Sequence, residues 1–231
     1  MIKKIAILAL CSLCLSVWQV SAQKHDSWAN FKRYAQANAE LPEPTKKEKR
    51  VVFLGNSITE GWVRIHPEFF KENGYIGRGI SGQTSYQFLL RFRSDVVDLK
   101  PKLVIINAGT NDAAENSGPF DIDKTFGNIA TMAEIAKANK IKVILTSILP
   151  ASHFKWNKNV TDAAERIEAL NEKIKAYAKA NKIPYVDYYT PMVTGAERAL
   201  NPAYSNDGVH PTMEGYLVME KIIKPAIDKA L

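Results

Sequence analysis

Val51-Val52-Phe53-Leu54-Gly55-Asn56-Ser57 is the stretch on which the reading of this chain turns. Four consecutive apolar residues stop at a glycine, and a serine follows two positions on. A run that is apolar at every position, rather than at alternate ones, suits a strand buried on both faces; such strands lie in parallel sheets covered by helices. From here a strand–helix rhythm continues along the chain. Tyr75 to Ile80 reads as a second strand and Ser85 to Leu99 as a helix. Leu103-Val104-Ile105-Ile106 is the clearest buried strand, followed by helical spacing from Ile122 to Asn139. Val143-Ile144-Leu145 makes a fourth strand, Ala163 to Asn181 an alanine- and lysine-rich helix, and Tyr185-Val186-Asp187 a fifth strand. Met213 to Leu231 closes the chain as a helix, with Pro225 placed to kink it. The pattern is α/β, a five-stranded parallel sheet covered on both faces, with no internal repeat and no second-domain boundary. Ligands of such sheets sit beyond the carboxyl ends of the strands. Functional residues are therefore expected just after Leu54, Ile80, Ile106, Leu145 and Asp187.

Upstream of the first strand the composition changes twice. Lys3 and Lys4 precede an apolar run from Ile5 to Val17, and Val20-Ser21-Ala22 is a small-residue cleavage pattern, so residues 1–22 read as a signal peptide. The run is shorter than the roughly 20 residues that span a bilayer, so no stable membrane anchor is expected, and the mature protein is expected to be secreted or periplasmic. Both cysteines, Cys11 and Cys14, fall in the leader, which leaves the mature chain without a thiol and excludes disulfides, cysteine–zinc sites and cysteine nucleophiles. Residues 23–49 are polar, end in Leu41-Pro42-Glu43-Pro44, and read as an N-terminal arm. Trp28, Phe31 and Tyr34 within it are spaced for one face of a short helix packed on the exterior. The main domain then covers 50–231. The formal charge is +7, or +5 without the two leader lysines, but the lysines are scattered and no nucleic-acid partner is expected.

Chemistry-bearing residues follow the strand ends. Gly55-Asn56-Ser57 places a hydroxyl one step beyond the first strand. Ile80-Ser81-Gly82-Gln83-Thr84 is a glycine turn opening a helix, where free N–H groups point outward. Gly109-Thr110-Asn111-Asp112 offers a side-chain amide donor, and Asp207-Gly208-Val209-His210-Pro211 stands near the C-terminus. A serine hydroxyl is a poor nucleophile near neutral pH and needs a base. Of the four histidines, His25 lies in the polar arm, His66 in an apparent helix, and His153 after the fourth strand, within possible reach of the site. His210 has an acid three residues earlier, on a loop tight enough for that carboxylate to orient the imidazole. His210 is the candidate base and Asp207 its support. Taken singly, Ser57 would be a helix cap, Asn111 a turn residue, Gly82 a tight corner, and Asp207 with His210 a turn or a metal pair. Their joint placement favours catalysis.

These four blocks, in this order from about residue 50 to the end, resemble those of the SGNH, or GDSL-like, hydrolases. The resemblance implies a flavodoxin-like three-layer α/β/α sandwich and cleavage of esters of lipids, acylated sugars and other small alcohols. It implies Ser57 as nucleophile, His210 as general base and Asp207 as its support. The Ser57 and Gly82 N–H groups and the Asn111 side chain become the oxyanion hole, with no cofactor and no metal. Asn56 departs from the family's usual aspartate, a near-isosteric change that leaves activity expected.

Two rival classes compete. Gly77-Arg78-Gly79-Ile80-Ser81-Gly82 matches G-x-G-x-x-G, the mark of a nucleotide-binding oxidoreductase, but the acid at Asp98 precedes the third strand instead of ending it. A catalytically silent binding protein would have no use for a complete Ser57, Asp207 and His210 set. For substrate, Trp62, Phe154 and Trp156 are candidates to stack on a sugar or wall a short acyl pocket. No long apolar lid segment is present. The expectation is a short-chain, acetyl esterase acting on a small-molecule or carbohydrate ester, with a lysophospholipase or platelet-activating-factor-like acetylhydrolase as the alternative.

Overall fold

The computed structural model describes residues 27–231; the expected signal peptide at 1–22 and the first residues of the expected arm lie outside them. Five parallel strands, β1 (Val51–Gly55), β2 (Tyr75–Gly79), β3 (Leu103–Ile106), β4 (Lys142–Thr146) and β5 (Tyr185–Val186), lie in the order β2-β1-β3-β4-β5. Adjacent strands are in register, Leu54 pairing with Arg78 on one side and Ile106 on the other. The order reverses direction between β1 and β3, which opens a crevice beyond the ends of these two strands.

Successive side chains of a strand point to opposite faces, and the uninterrupted apolar runs feed two cores. Val52, Leu54, Val104, Ile106, Val143 and Leu145 pack under α4 (Ser85–Asp95), α6 (Ile122–Ala138) and α7 (Ala163–Ala180). Val51, Phe53, Leu103, Ile105, Ile144 and Val186 pack under α2 (Ser57–Ile65), α3 (Pro67–Asn73) and α9 (Met213–Ala230). Between them in sequence lie the single-turn helices α5 (Thr110–Ala113) and α8 (Tyr189–Met192). Among the described residues, no helix is long and apolar enough to cross a membrane.

Several expected boundaries shift for identifiable reasons. The helix expected to reach Leu99 stops at Asp95, and a turn of 3₁₀ helix covers Val97–Leu99. Neighbouring helical positions point about 100° apart, so unwinding at Val96 (φ −131°) lets Val96, Val97 and Leu99 all enter one core. Asp187 is not in β5; its carboxylate accepts from the Thr190 N–H and hydroxyl at the start of α8. Pro225 stands on the exposed side of α9, which continues to Ala230. A small antiparallel pair, β6 (Val193–Thr194) with β7 (Ala199–Leu200), was not legible as strands.

The arm differs more. Trp28, Phe31 and Tyr34 do not share one helix, because Asn30 takes a left-handed φ of 54° between the helical residues 27–29 and α1 (Lys32–Ala39). Trp28 stays 46% exposed. Polar contacts hold the arm instead: Asn38 bonds Arg78, Asp95 and the Ser94 carbonyl, and Arg50 bonds the Pro42 and Leu99 carbonyls.

The first two glycines of the G-x-G-x-x-G match, Gly77 and Gly79, serve close packing of α2 on the edge strand β2. A Cβ at Gly79 would lie 2.3 Å from the Glu60 nitrogen and 2.6 Å from the Asn56 carbonyl oxygen, and one at Gly77 2.3 Å from Val63. Because the obstacle at Gly79 is backbone, Gly79→Ala is expected to cost about 3 kcal/mol of stability by overpacking. Gly127→Ala, in the α6 interior where an added Cβ meets nothing within 4 Å, is expected to stabilise by about 0.5–1 kcal/mol. Urea unfolding of the two variants beside wild type measures both.

Candidate active site

Ser57 is the first residue of α2, two residues past the end of β1 at Gly55. Asn56 caps that helix: its Oδ1 accepts the Ile58 N–H at 2.9 Å, and its backbone (φ −102°, ψ −146°) turns the chain sharply from strand into helix. An asparagine oxygen serves as a cap as readily as a carboxylate does, so the buried Asn56 fills the corner. The Ser57 N–H belongs to the first turn of the helix, where amides lack intrahelical acceptors.

The partner side chains come from the loop before α9. Ser57 Oγ lies 2.8 Å from His210 Nε2, and His210 Nδ1 lies 2.7 Å from Asp207 Oδ2. The other carboxylate oxygen accepts the Val209 and His210 N–H groups at 2.9 and 2.8 Å, and the Ser205 hydroxyl at 3.2 Å. Gly208 supplies the left-handed φ of 84° that this turn needs. Burial works to raise the Asp207 pKa, but the hydrogen bonds from His210 and Val209 outweigh it and bring it down to about 2. An ionised carboxylate on Nδ1 selects the tautomer with its proton there, leaving Nε2 to accept from Ser57. His210 and Asp207 remain 38% and 42% exposed, so the site is open to solvent.

Gly82 and Asn111 meet on the other flank. Gly82 is exposed with φ 78°, and its carbonyl accepts from Asn116 Nδ2 at 3.2 Å. Asn111 is buried and donates one amide proton to the Gln83 carbonyl at 2.9 Å, leaving its second proton for another acceptor. Asp112 ties this loop to α4 by accepting the Ser85 N–H and hydroxyl; burial raises its pKa against those bonds. Gly109, at φ 128°, lets the β3 end turn in a space that a Cβ could not enter, 2.5 Å from Ile148.

Of the three candidate aromatics, two require correction. Trp62 is 2% exposed and stacks between Phe69 and Tyr216, with Nε1 on Glu220 at 2.8 Å; residues of β1, α3 and α9 close over it. Phe154 is 1% exposed, in the opposite core. Trp156 alone stands at the surface, 47% exposed, with its ring 5.3 Å from Phe154 and 6.3 Å from His210. Its Nε1 donates to Asn116 at 2.8 Å, which orients the ring beside the histidine. His153 is exposed and bonds its neighbour Ser152. His66 caps α3 and bonds Glu220.

A groove of about 1390 Å³ leads away from Ser57 and His210 on the α2 side, bordered by Glu60, Arg64, Arg33 and Tyr34. The contributions of Glu60, Gln83, Arg91 and Asn116 were not foreseen. One signal was available for Arg91: it shares the apolar face of α4 with Phe88, Phe92 and Asp95 at helical spacing, which marks a buried ion pair. Among the described residues, no group of three or more histidine, cysteine, aspartate or glutamate side chains could hold a metal ion.

An α/β sheet of this order with a serine, histidine and aspartate linked at its carboxyl edge has the architecture of an ester-cleaving hydrolase. A family model described as GDSL-like lipase/acylhydrolase matches residues 53–218. The crystal structure of a GDSL-like lipase from Bacteroides thetaiotaomicron VPI-5482 is 70% identical, with a TM-score of 0.88, covering 88% of this chain and 100% of that one. Esterase TesA of Pseudomonas aeruginosa is 29% identical over 165 residues, 69% of this chain and 74% of its own length. An acetylxylan esterase of Xylanibacter ruminicola is 22% identical over 222 residues, 81% of this chain but only 45% of the relative. The chain belongs to the GDSL-like lipase/acylhydrolase family, hydrolases that act on ester bonds.

Asp207 also sets an acid limit. Its pKa in the fold, about 2, lies below the ordinary 3.8, so its contribution to stability is complete above about pH 4 and is lost as pH falls toward 2. Asp207→Asn should therefore be less stable than wild type at pH 6, and the difference should shrink between pH 4 and 2 when thermal unfolding is followed across that range.

Proposed function

We propose that the protein is an exported serine esterase that removes short acyl groups, chiefly acetyl, from carbohydrates, with Ser57 as nucleophile, His210 as general base and acid, and Asp207 as its support. The observation that carries this reading is the unbroken chain of contacts, 2.8 Å from Ser57 Oγ to His210 Nε2 and 2.7 Å from His210 Nδ1 to Asp207.

In this mechanism Ser57 Oγ bonds to the ester carbonyl carbon as its proton passes to His210 Nε2. The negative charge that builds on the carbonyl oxygen is met by the Ser57 N–H, the Gly82 N–H and the free Asn111 amide proton. One such donor is typically worth about 3–4 kcal/mol in the transition state. The imidazolium, paired with Asp207, returns its proton to the leaving alcohol as the ester C–O bond breaks. Water then adds to the acyl-enzyme by the same route and frees Ser57.

Substrate size follows from the surroundings. The site is open, Trp156 offers an aromatic face next to His210, and the flanking groove carries Glu60, Arg64 and Arg33. An exposed ring beside a polar groove favours a sugar, which stacks its C–H face on an aromatic, over a long acyl chain. The acetylxylan esterase relative supports the same class. The apolar, basic-flanked first 22 residues support export, with an arm at 23–49 and the catalytic domain at 50–231.

Hydrolysis of p-nitrophenyl esters from acetate to decanoate tests the reading. Wild type is expected to prefer acetate, and Ser57→Ala to lose at least about 10⁴-fold in kcat. Preference for long chains would favour the lysophospholipase alternative; equal rates for wild type and Ser57→Ala would remove the serine mechanism. Trp156→Ala is expected to lose about tenfold in kcat/KM on acetylated xylo-oligosaccharides, and much less on p-nitrophenyl acetate.

A further inference from the structure

Residues 27–40 grip the domain on the segment that carries Gly82. The Ala29 carbonyl accepts from Gln83 Nε2 at 2.8 Å, and the Trp28 carbonyl from Gln87 Nε2 at 2.9 Å. The Tyr34 hydroxyl donates to the Gly79 carbonyl at 2.5 Å. Arg33 Nη2 donates to Glu60 Oε1 at 2.9 Å, and Oε2 of that carboxylate accepts the Ser81 N–H and hydroxyl at 2.9 and 2.5 Å. These attachments fall at residues 79, 81, 83 and 87, on both sides of Gly82.

Gly82 itself has little to hold it. It is exposed, it has no side chain, and a Cβ built on it would meet nothing within 4 Å. Packing therefore does not set its conformation; the hydrogen bonds of its neighbours do. The domain supplies part of them, with Asn116 on the Gly82 carbonyl, Asn111 on the Gln83 carbonyl and Arg91 Nε on Gln83 Oε1 at 2.6 Å. The arm supplies the rest. The Gln83 side chain joins the two sets, its oxygen taken by Arg91 and its nitrogen by Ala29. Glu60 extends the link to Ser57, which lies three residues earlier on the same helix.

We infer that residues 27–40 are a positioning element for ester hydrolysis, with Arg33 and Tyr34 fixing the aim of the Gly82 N–H at the carbonyl oxygen of the reacting ester. The inference rests on the proposed role of Gly82 as an oxyanion donor. An oxyanion donor must sit about 2.7–3.1 Å from the oxygen as charge develops, and a misplacement of about 1 Å is enough to cost up to 10²-fold. A loop braced from both sides meets that demand before substrate arrives.

Two of the arm's acceptors are main-chain carbonyls, so the testable side chains are Arg33 and Tyr34. The Arg33→Ala/Tyr34→Phe double variant of the mature protein is compared with wild type on p-nitrophenyl acetate. Both are also titrated with phenylboronic acid, whose boron bonds to Ser57 Oγ as the serine proton passes to His210, placing a boronate oxygen where the oxyanion forms. The expected result is a fall of about tenfold in kcat, a comparable rise in boronate Kd, and KM within about twofold. A lower unfolding temperature with kcat and boronate Kd unchanged would make the arm a structural strap and overturn the inference. A rise in KM with kcat and boronate Kd unchanged would make it a wall of the substrate groove, with the same consequence. Should the double variant not fold, Tyr34→Phe, which removes one oxygen atom, carries the same readouts with an expected fall of two- to fourfold in kcat. Ser57→Ala run in parallel separates the two levels: if it retains activity, the catalytic reading itself fails, and if it is inactive while the arm variants match wild type, only the arm inference fails.

Discussion

Beneath the site, the guanidinium of Arg91 has no exposed surface and donates to four acceptors from separate parts of the chain. They are the Gly55 carbonyl at the end of β1, the Arg78 carbonyl in β2, the Gln83 side chain and the Asp95 carboxylate. A charge buried this deeply is tolerated only when it is paired and its donors are satisfied, and here satisfying them requires two strand ends and a loop to meet at one point. Asp95 is held in turn by Asn38 of the arm. Replacing such a network by apolar packing is often harmless, whereas removing one member leaves the others stranded. The geometry above it inherits that rigidity. The Gly82 loop leaves the end of β2 directly over Arg91, and the Ser57 corner leaves the end of β1 beside it.

The remaining requirement is to hold Ser57 against His210, which are 153 residues apart. The loop that carries His210 is self-contained, because Asp207 bonds both the imidazole and its backbone nitrogen, and the Thr212 N–H closes on the Tyr204 carbonyl at 2.8 Å. What then matters is how α9, which follows that loop, sits on α2, which begins at Ser57. Trp62 and Tyr216 stack at 5.5 Å, the Tyr216 hydroxyl bonds the Ile58 carbonyl, and Glu220 bonds both Trp62 and His66. The tryptophan that seemed placed for substrate thus works one layer down, locking the helix of Ser57 to the helix behind His210.

Much of this was legible before the fold was known. Runs apolar at every position identified β1, β3 and β4, because a strand covered on both faces leaves no polar position to confuse the period. Strand ends then located Ser57, Gly82 and Asn111, since the switch-point rule depends on strand direction and order more than on side-chain detail. Illegible were features that depend on which surface faces which. The same run of letters allows Trp62 to face a groove or a core, and α2 turns it inward against α9. Phe154 and Trp156, two residues apart on one loop, part company in the same way, one filling the core and the other standing beside His210. The helix expected to carry the arm's aromatics breaks at Asn30, where the chain bends so that the Trp28 and Ala29 carbonyls reach Gln87 and Gln83.

The sequence by itself determined the parallel α/β sheet, the order of its elements and the identities of the serine, histidine and aspartate, because hydrophobic period and residue chemistry are local properties that survive without coordinates. Only the tertiary structure decided that Arg91, Glu60, Gln83 and the arm brace the Gly82 loop, and that Trp156 alone of the three aromatics lies at the surface beside His210. Those outcomes depend on long-range contacts among side chains that have no shared period and no fixed spacing, so nothing short of the packed molecule brings them together.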